Sequence, residues 1–268
     1  MRIHQGAWVA WATAAAIAVV VTTNPFYLVP LIALAWVVHA THARPGPSFR
    51  AFKVFLAFAV FAVTVRVALI LVTPLVPQAP PIGTSVLAAG FLEGLSLGTL
   101  LVVFGTFNSV SDPYAILRLT PRRFHEPALA AALALSIAPR TIATAAKVRE
   151  AQRLRGMDTR RIRTLPALAV PVLENGMEEA LSLAESMDAR GHGRGRRSRY
   201  RPERWSLSST VVAAGGVTAA AMFASAFLGD DPTLRISTFP LEWPDVSEAL
   251  LVGLLGLAAP VMIPGPRR

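Results

Sequence analysis

Two short stretches share one pattern of charge and spacing. "EAQRLRG" fills residues 150–156 and "ESMDARG" fills residues 185–191. In each, a glutamate (Glu150, Glu185) is followed after four residues by Arg-Gly (Arg155-Gly156, Arg190-Gly191). An arginine at a helix end presents five donors in a rigid fork to carboxylates and carbonyls. A following glycine lets the chain turn away at once. That chemistry is docking rather than catalysis. Taken singly, either copy reads as an ordinary helix end, its arginine complementing the helix dipole. Two copies 35 residues apart suggest two similar receptor sites.

Other chemistry is absent from the pattern. No Gly-x-x-x-x-Gly-Lys-Ser/Thr occurs, so ATP binding by a P-loop is not expected. "GHGRGRR" (191–197) lacks the lysine-hydroxyl pair and reads as a basic turn touching anionic lipid. The histidines at 4, 39, 42, 125 and 192 show no metal-ligand spacing, and "HATH" (39–42) reads as interfacial. No serine, histidine and acid arrangement suggests hydrolysis. Neither cofactor nor metal is expected.

The elements that must carry the two tips are helices. From Thr141 to Arg155 the chain has no glycine or proline and is rich in Ala, Arg and Lys. The second helix is expected from Leu165 to Arg190, with Leu165, Leu168, Val172, Met177, Leu181, Leu183 and Met187 mostly at helical spacing, and with Pro171 as an alternative start of a second, shorter helix. The two helices are expected to pack through apolar faces. Gly156 and Gly191 stand where the glycine after a helix belongs.

The rest is membrane-like. Of 268 residues 53% are hydrophobic and only 16% charged, with long apolar runs near both ends. There is no cysteine. The net charge is +10, and residues 140–204 hold 15 of the 26 Lys and Arg. A basic patch between apolar flanks reads as a cytoplasmic segment obeying the positive-inside rule. Spans are expected at Ala7–Thr22, Phe26–Ala40, Val54–Leu75, Ser85–Phe107, Leu207–Leu228 and Val246–Ile263. "TTNP" (22–25) and "PQAPPIG" (77–83) break the early runs. The acidic loop 229–245, with Asp230, Asp231, Glu242 and Asp245, should face outside. The basic loops 41–53 and 118–123 should face the cytoplasm, with both termini. The run 127–146 does not fit as a simple span. It reads as the start of the long helix ending at Arg155, with a sharp kink near Pro139. The expected fold is an all-α membrane protein of about six transmembrane helices, with a coupling-helix pair between the fourth and fifth spans. Its parts are a membrane domain at 1–110, a basic cytoplasmic domain at 111–205 and a membrane hairpin at 206–268.

Two charges fall inside spans, Arg66 in the third and Glu93 in the fourth. Unpaired, each would cost a few kcal/mol or more in hydrocarbon. Their similar depth on consecutive antiparallel spans predicts an ion pair; a contact surface for a partner is the other reading.

The paired motifs, with "TTNP", "LEGLSLG" (92–98), "DPYAILRL" (112–119) and "LSIAPRTI" (135–142), resemble the transmembrane (T) component of energy-coupling factor transporters, vitamin and metal importers of the ABC superfamily. The resemblance implies that each tip docks into a groove on one of two cytoplasmic ABC ATPase subunits. Arg155 and Arg190 would be the coupling arginines, Gly156 and Gly191 their caps, and Ala189 the small residue before the second arginine. Leu154 stands where alanine is usual. The resemblance further implies a membrane-embedded substrate-binding (S) subunit as partner and a plasma-membrane location. Two other readings stand beside it. A conventional ABC permease would have one coupling segment and a polar-lined pathway. A membrane-anchored nucleic-acid binder would interleave aromatics with its arginines; residues 140–204 offer only Tyr200, so no nucleic acid is expected.

Overall fold

The computed structural model describes residues 3–43, 47–72, 83–158, 164–192, 204–236 and 245–265. Residues 77–82 of "PQAPPIG", Arg44, Glu242, Tyr200 and residues 193–197 of the basic stretch lie outside them. Every regular element among the described residues is helical: α1 (Gln5–Val21), α2 (Pro25–His42), α3 (Pro47–Val72), α4 (Thr84–Val110), α5 (Pro113–Arg118), α6 (His125–Leu154), α7 (Leu165–Ala189), α8 (Leu207–Leu228) and α9 (Glu248–Leu257), with short 3₁₀ turns. The protein is a multi-pass, all-α membrane protein. Among the described residues five helices are long and apolar enough to cross a bilayer: Pro25–His42, Ala51–Val72, Ser85–Val110, Glu126–Leu154 and Leu207–Leu228.

The first span is a helix of 17 residues, about 26 Å at 1.5 Å per residue, as short as the run Ala7–Thr22 led one to expect. The last span and the run 127–146 differ from the sequence expectation. The last is a helix of 10 residues that gives way to a 3₁₀ turn at Ala259–Met262; Pro260 there supplies no backbone donor. The run at 127–146 belongs to a 30-residue helix that meets the length and apolarity of a span. Pro139 does not interrupt that helix. The carbonyl it frees belongs to Leu135, and both residues lie on an exposed face where solvent or lipid headgroups can satisfy it.

The chain divides into two compact units, Met1–Leu119 with Glu203–Arg268, and Thr120–Pro202. In the first unit α1 packs on α8 and α4, α2 packs on α4, α9 closes on α8, and α3 lies along α4. Sequence dictates the closeness of two of these crossings. Gly215 and Gly216 stand side by side on α8. A Cβ on Gly216 would sit 3.1 Å from the Ala10 carbonyl of α1, and one on Gly256 of α9 would sit 2.6 Å from the Gly215 carbonyl. Backbone meets backbone at both faces, as small residues permit between apolar helices.

The "TTNP" turn does more than reverse the chain. Asn24 is fully buried. Its Oδ1 caps α2 by accepting from the Phe26 N–H at 3.0 Å. Its Nδ2 donates to the carbonyls of Thr233 (2.8 Å) and Asp245 (3.0 Å), on either side of the loop before α9. Beside it Thr22 Oγ1 donates to the Leu234 carbonyl at 2.7 Å, and the Thr23 N–H donates to the same oxygen. Tyr27 Oη accepts from the Ser247 N–H at 2.7 Å. The α1–α2 turn and the ends of the α8–α9 connection are thus one hydrogen-bonded knot. Replacing Asn24 by alanine should remove the cap and strand two carbonyls. Each buried unsatisfied group costs about 1–3 kcal/mol. Thermal denaturation of the Asn24→Ala variant in detergent should show a lowered midpoint, and hydrogen exchange should rise first around 233–234 and 245–247.

Candidate docking tips and an interhelical ion pair

The second unit contains α6 and α7. Their alignment is fixed by two contacts: Arg140 Nη1 donates to Glu179 Oε1 at 3.0 Å, and Gln152 Nε2 reaches the Ala167 carbonyl at 3.5 Å. Arg140 lies 12 residues before Gln152 and Glu179 lies 12 after Ala167, so one antiparallel register serves both. Half-buried residues fall in matching stripes: Ile137, Thr141, Ala145, Val148 and Gln152 on α6; Leu168, Val172, Gly176, Glu179, Leu183 and Met187 on α7. Both stripes step by three or four residues, the spacing of one helix face. Met177 and Leu181 do not join the packed face. With Val170 and Leu173 they form a second apolar stripe, exposed. The spacing was right for a helix, but α7 is apolar on two faces and periodicity alone could not choose between them.

Each helix ends the same way. Arg155 is the last half-helical residue of α6, and Gly156 follows with φ +79°. The Gly156 N–H donates to the Arg153 carbonyl at 3.0 Å and the Met157 N–H to the Gln152 carbonyl at 3.1 Å. Arg190 and Gly191 repeat this at the end of α7, with φ +74° at the glycine. There the Gly191 N–H donates to Asp188 (2.8 Å) and the His192 N–H to Met187 (3.0 Å). This nested pair of bonds is the Schellman cap, which needs a left-handed residue after the helix. Glu150, Arg155, Gly156, Glu185, Ala189 and Arg190 are exposed, and Gly191 is half-exposed. Leu154, beside the first arginine, is 85% exposed. Because the helices are antiparallel, the two tips lie at opposite ends of the hairpin, about 37 Å apart along the 25 residues of α7.

Arg66 of α3 and Glu93 of α4 form an ion pair through Nη2 and Oε2. Gly94 makes the pairing possible: a Cβ there would sit 3.0 Å from Val63 Cα and 3.2 Å from Arg66 Cβ. Neither side chain is buried; they are 42% and 47% exposed, beside exposed Val65, Leu69, Phe91 and Leu97. Three residues along α4, Ser96 Oγ donates to the Thr22 carbonyl at 3.4 Å. The pair therefore lies near the level where α1 ends. Among the described residues no three His, Asp or Glu are grouped to hold a metal ion. His39 and His42 are buried rather than interfacial: His39 Nδ1 meets Ser109 Oγ at 2.8 Å and its ring stacks on Phe52 at 3.7 Å, while His42 Nδ1 meets Thr41 Oγ1 at 2.7 Å.

No protein-family model matches the chain. A curated relative does: the energy-coupling factor transporter transmembrane protein EcfT of Bacillus selenitireducens, 34% identical over 113 residues. The chain is similar to an energy-coupling factor transmembrane protein. The matched stretch is 39% of this chain and 42% of EcfT, so the chain spans less than half the length of the relative it matches. The similarity supports the family resemblance read from the paired motifs.

The caps make a specific prediction. Space is not the constraint at either glycine, since nothing lies within 4 Å of a Cβ built there. The constraint is φ alone. Gly156→Ala and Gly191→Ala should each cost about 1–2 kcal/mol of local stability, the strain of a left-handed non-glycine residue. Hydrogen exchange of the full chain in detergent should show faster exchange at the amides of 156–157 or 191–192, respectively. The midpoint of global unfolding should be little changed.

Proposed function

We propose that this chain is the transmembrane energy-coupling subunit of an energy-coupling factor importer. It links two cytoplasmic ABC ATPases to a membrane-embedded substrate-binding S subunit that takes up a vitamin or metal ion. The observation that carries this reading is the pair of identical Arg-Gly caps at opposite ends of one antiparallel hairpin. Two equal tips about 37 Å apart suit two separate receptor grooves better than one. Similarity to EcfT supports the same assignment.

In this reading residues 111–205 and both termini face the cytoplasm, in the plasma membrane. Arg155 and Arg190 enter grooves lined with carboxylates or carbonyls, where the planar fork can bind two acceptors at once. Ala189 keeps the second tip slim. Leu154 gives the first tip a broader apolar shoulder, so its groove must be wider or more apolar. Glu150 and Glu185 flank the tips on the exposed faces. Movement of the ATPases on binding and hydrolysing ATP displaces the two tips, and the S subunit is reoriented in turn. The chain itself does no bond chemistry.

The test is co-purification of the ATPases with Arg155→Glu, Arg190→Glu and the double variant. Losing one desolvated arginine contact should cost about 2–5 kcal/mol of docking, much of it from partner groups left unpaired. Each single variant should bind the ATPases weakly, and the double variant not at all, while membrane insertion persists. Arg→Lys should rescue poorly, because a point charge does not reproduce the fork. A double Glu variant that still holds both ATPases at wild-type level would reduce the repeat to a pair of helix caps.

A further inference from the structure

The chain leaves the first unit once, after Leu119, and returns once, at Glu203. Both ends of that excursion are fastened to two consecutive residues at the start of α1. On the outgoing side the Asp112 N–H donates to Gln5 Oε1 at 3.3 Å. Asp112 caps α5, which packs on α1 and buries Ala115. Gln5 itself is 4% exposed, unusual for a glutamine. On the returning side the Trp205 ring lies 4.8 Å from the His4 ring. The His4 N–H donates to Ser209 Oγ at 2.8 Å, and Ser209 is fully buried in the first turn of α8. His4 also caps α1 through its Nδ1, which accepts from the Gly6 N–H at 3.1 Å. One helix start therefore holds both connectors.

α1 carries that attachment across the unit. Midway, Trp11 Nε1 donates to the Leu257 carbonyl of α9 at 2.9 Å, buried. About 26 Å from Gln5, the other end of α1 runs into the Thr22–Asn24 knot. A continuous helix is stiff along its axis, and close packing passes displacement to neighbours rather than absorbing it. We propose that His4 and Gln5 form a yoke: positioning residues that convert displacement of the 120–202 unit into displacement of α1 against α4. The proposal rests on the energy-coupling role and adds the route by which the motion enters the membrane helices.

The experiment uses the complex of this chain with the ATPases that co-purify with it. The sequence has no cysteine, so spin labels can be placed at chosen sites only. Val20→Cys on α1 and Leu97→Cys on α4 are exposed positions for such a pair. In the otherwise wild-type complex, adding ATP should shift the distance distribution between the two labels. Gln5→Met keeps the bulk but removes the acceptor; it should leave ATPase binding and ATP hydrolysis in place while abolishing the shift. Gln5→Glu keeps an acceptor oxygen and should retain the shift. Trp205→Ala, at a side chain 53% exposed, loosens the returning connector without opening the core and should also reduce it. A merely structural role would lower assembly, hydrolysis and the shift together. The yoke is overturned if ATP shifts the labels equally in Gln5→Met and Trp205→Ala, if the parent complex shows no shift, or if all three readouts fall in parallel. If no ATPase co-purifies with the wild-type chain, the energy-coupling reading fails first and the yoke with it.

Discussion

Asn24 is a single, fully buried side-chain amide asked to satisfy three backbone groups. It accepts from Phe26 and donates to carbonyls at Thr233 and Asp245, more than 200 residues further along the chain. Asn24 is fully buried, so no water stands ready to take over if one of these bonds is lost. That constraint fixes the α1–α2 turn against the loop between α8 and α9, and with it the order of helices in the first unit. Thr22 and Tyr27 add bonds to the same loop, and Ser96 reaches the same turn from α4. The N-terminal and C-terminal helices are therefore one body, although 83 residues of another unit separate them in sequence.

Local rules made the helices, their caps and the charge pair legible. Gly156 and Gly191 each sit one place past arginine at the end of a helical stretch, and the left-handed caps followed from that placement. Arg66 and Glu93 were placed together by the cost of leaving either unpaired in lipid, though they turn out half-exposed rather than buried. What stayed hidden depends on distant backbone. "TTNP" reads as a turn, and nothing in it announces that Asn24 binds the carbonyls of residues 233 and 245. Gly215, Gly216 and Gly256 look like helix breakers or neutral filler until a second backbone is seen against them. Gln5 and His4 precede the first apolar run and carry no pattern at all; their importance comes from what returns to them. The second apolar stripe of α7, at Val170, Leu173, Met177 and Leu181, lay within reach of the sequence but not its orientation.

The twin tips and the knot answer to different pressures. The tips are built from capped helix ends whose side chains touch little in this chain, and their cost is confined to two left-handed glycines. The knot is built from groups that touch only this chain and tolerate little change. Because of this division, the side chain at position 154, where Leu154 is exposed, shapes a tip without disturbing the helix beneath it.

The antiparallel hairpin also has a mechanical meaning. With its two ends facing opposite ways, it is a lever rather than a plug. A load moving both tips together translates it, whereas a load moving one tip turns it. Over about 37 Å of helix, a sideways shift of roughly 5 Å at one end is a rotation of about 8°. The exposed stripe on α7 lies between the tips, so such a rotation carries its parts in proportion to their distance from the fulcrum. Loads on the two ends therefore set direction as well as amplitude, since equal and unequal loads produce different motions from the same part.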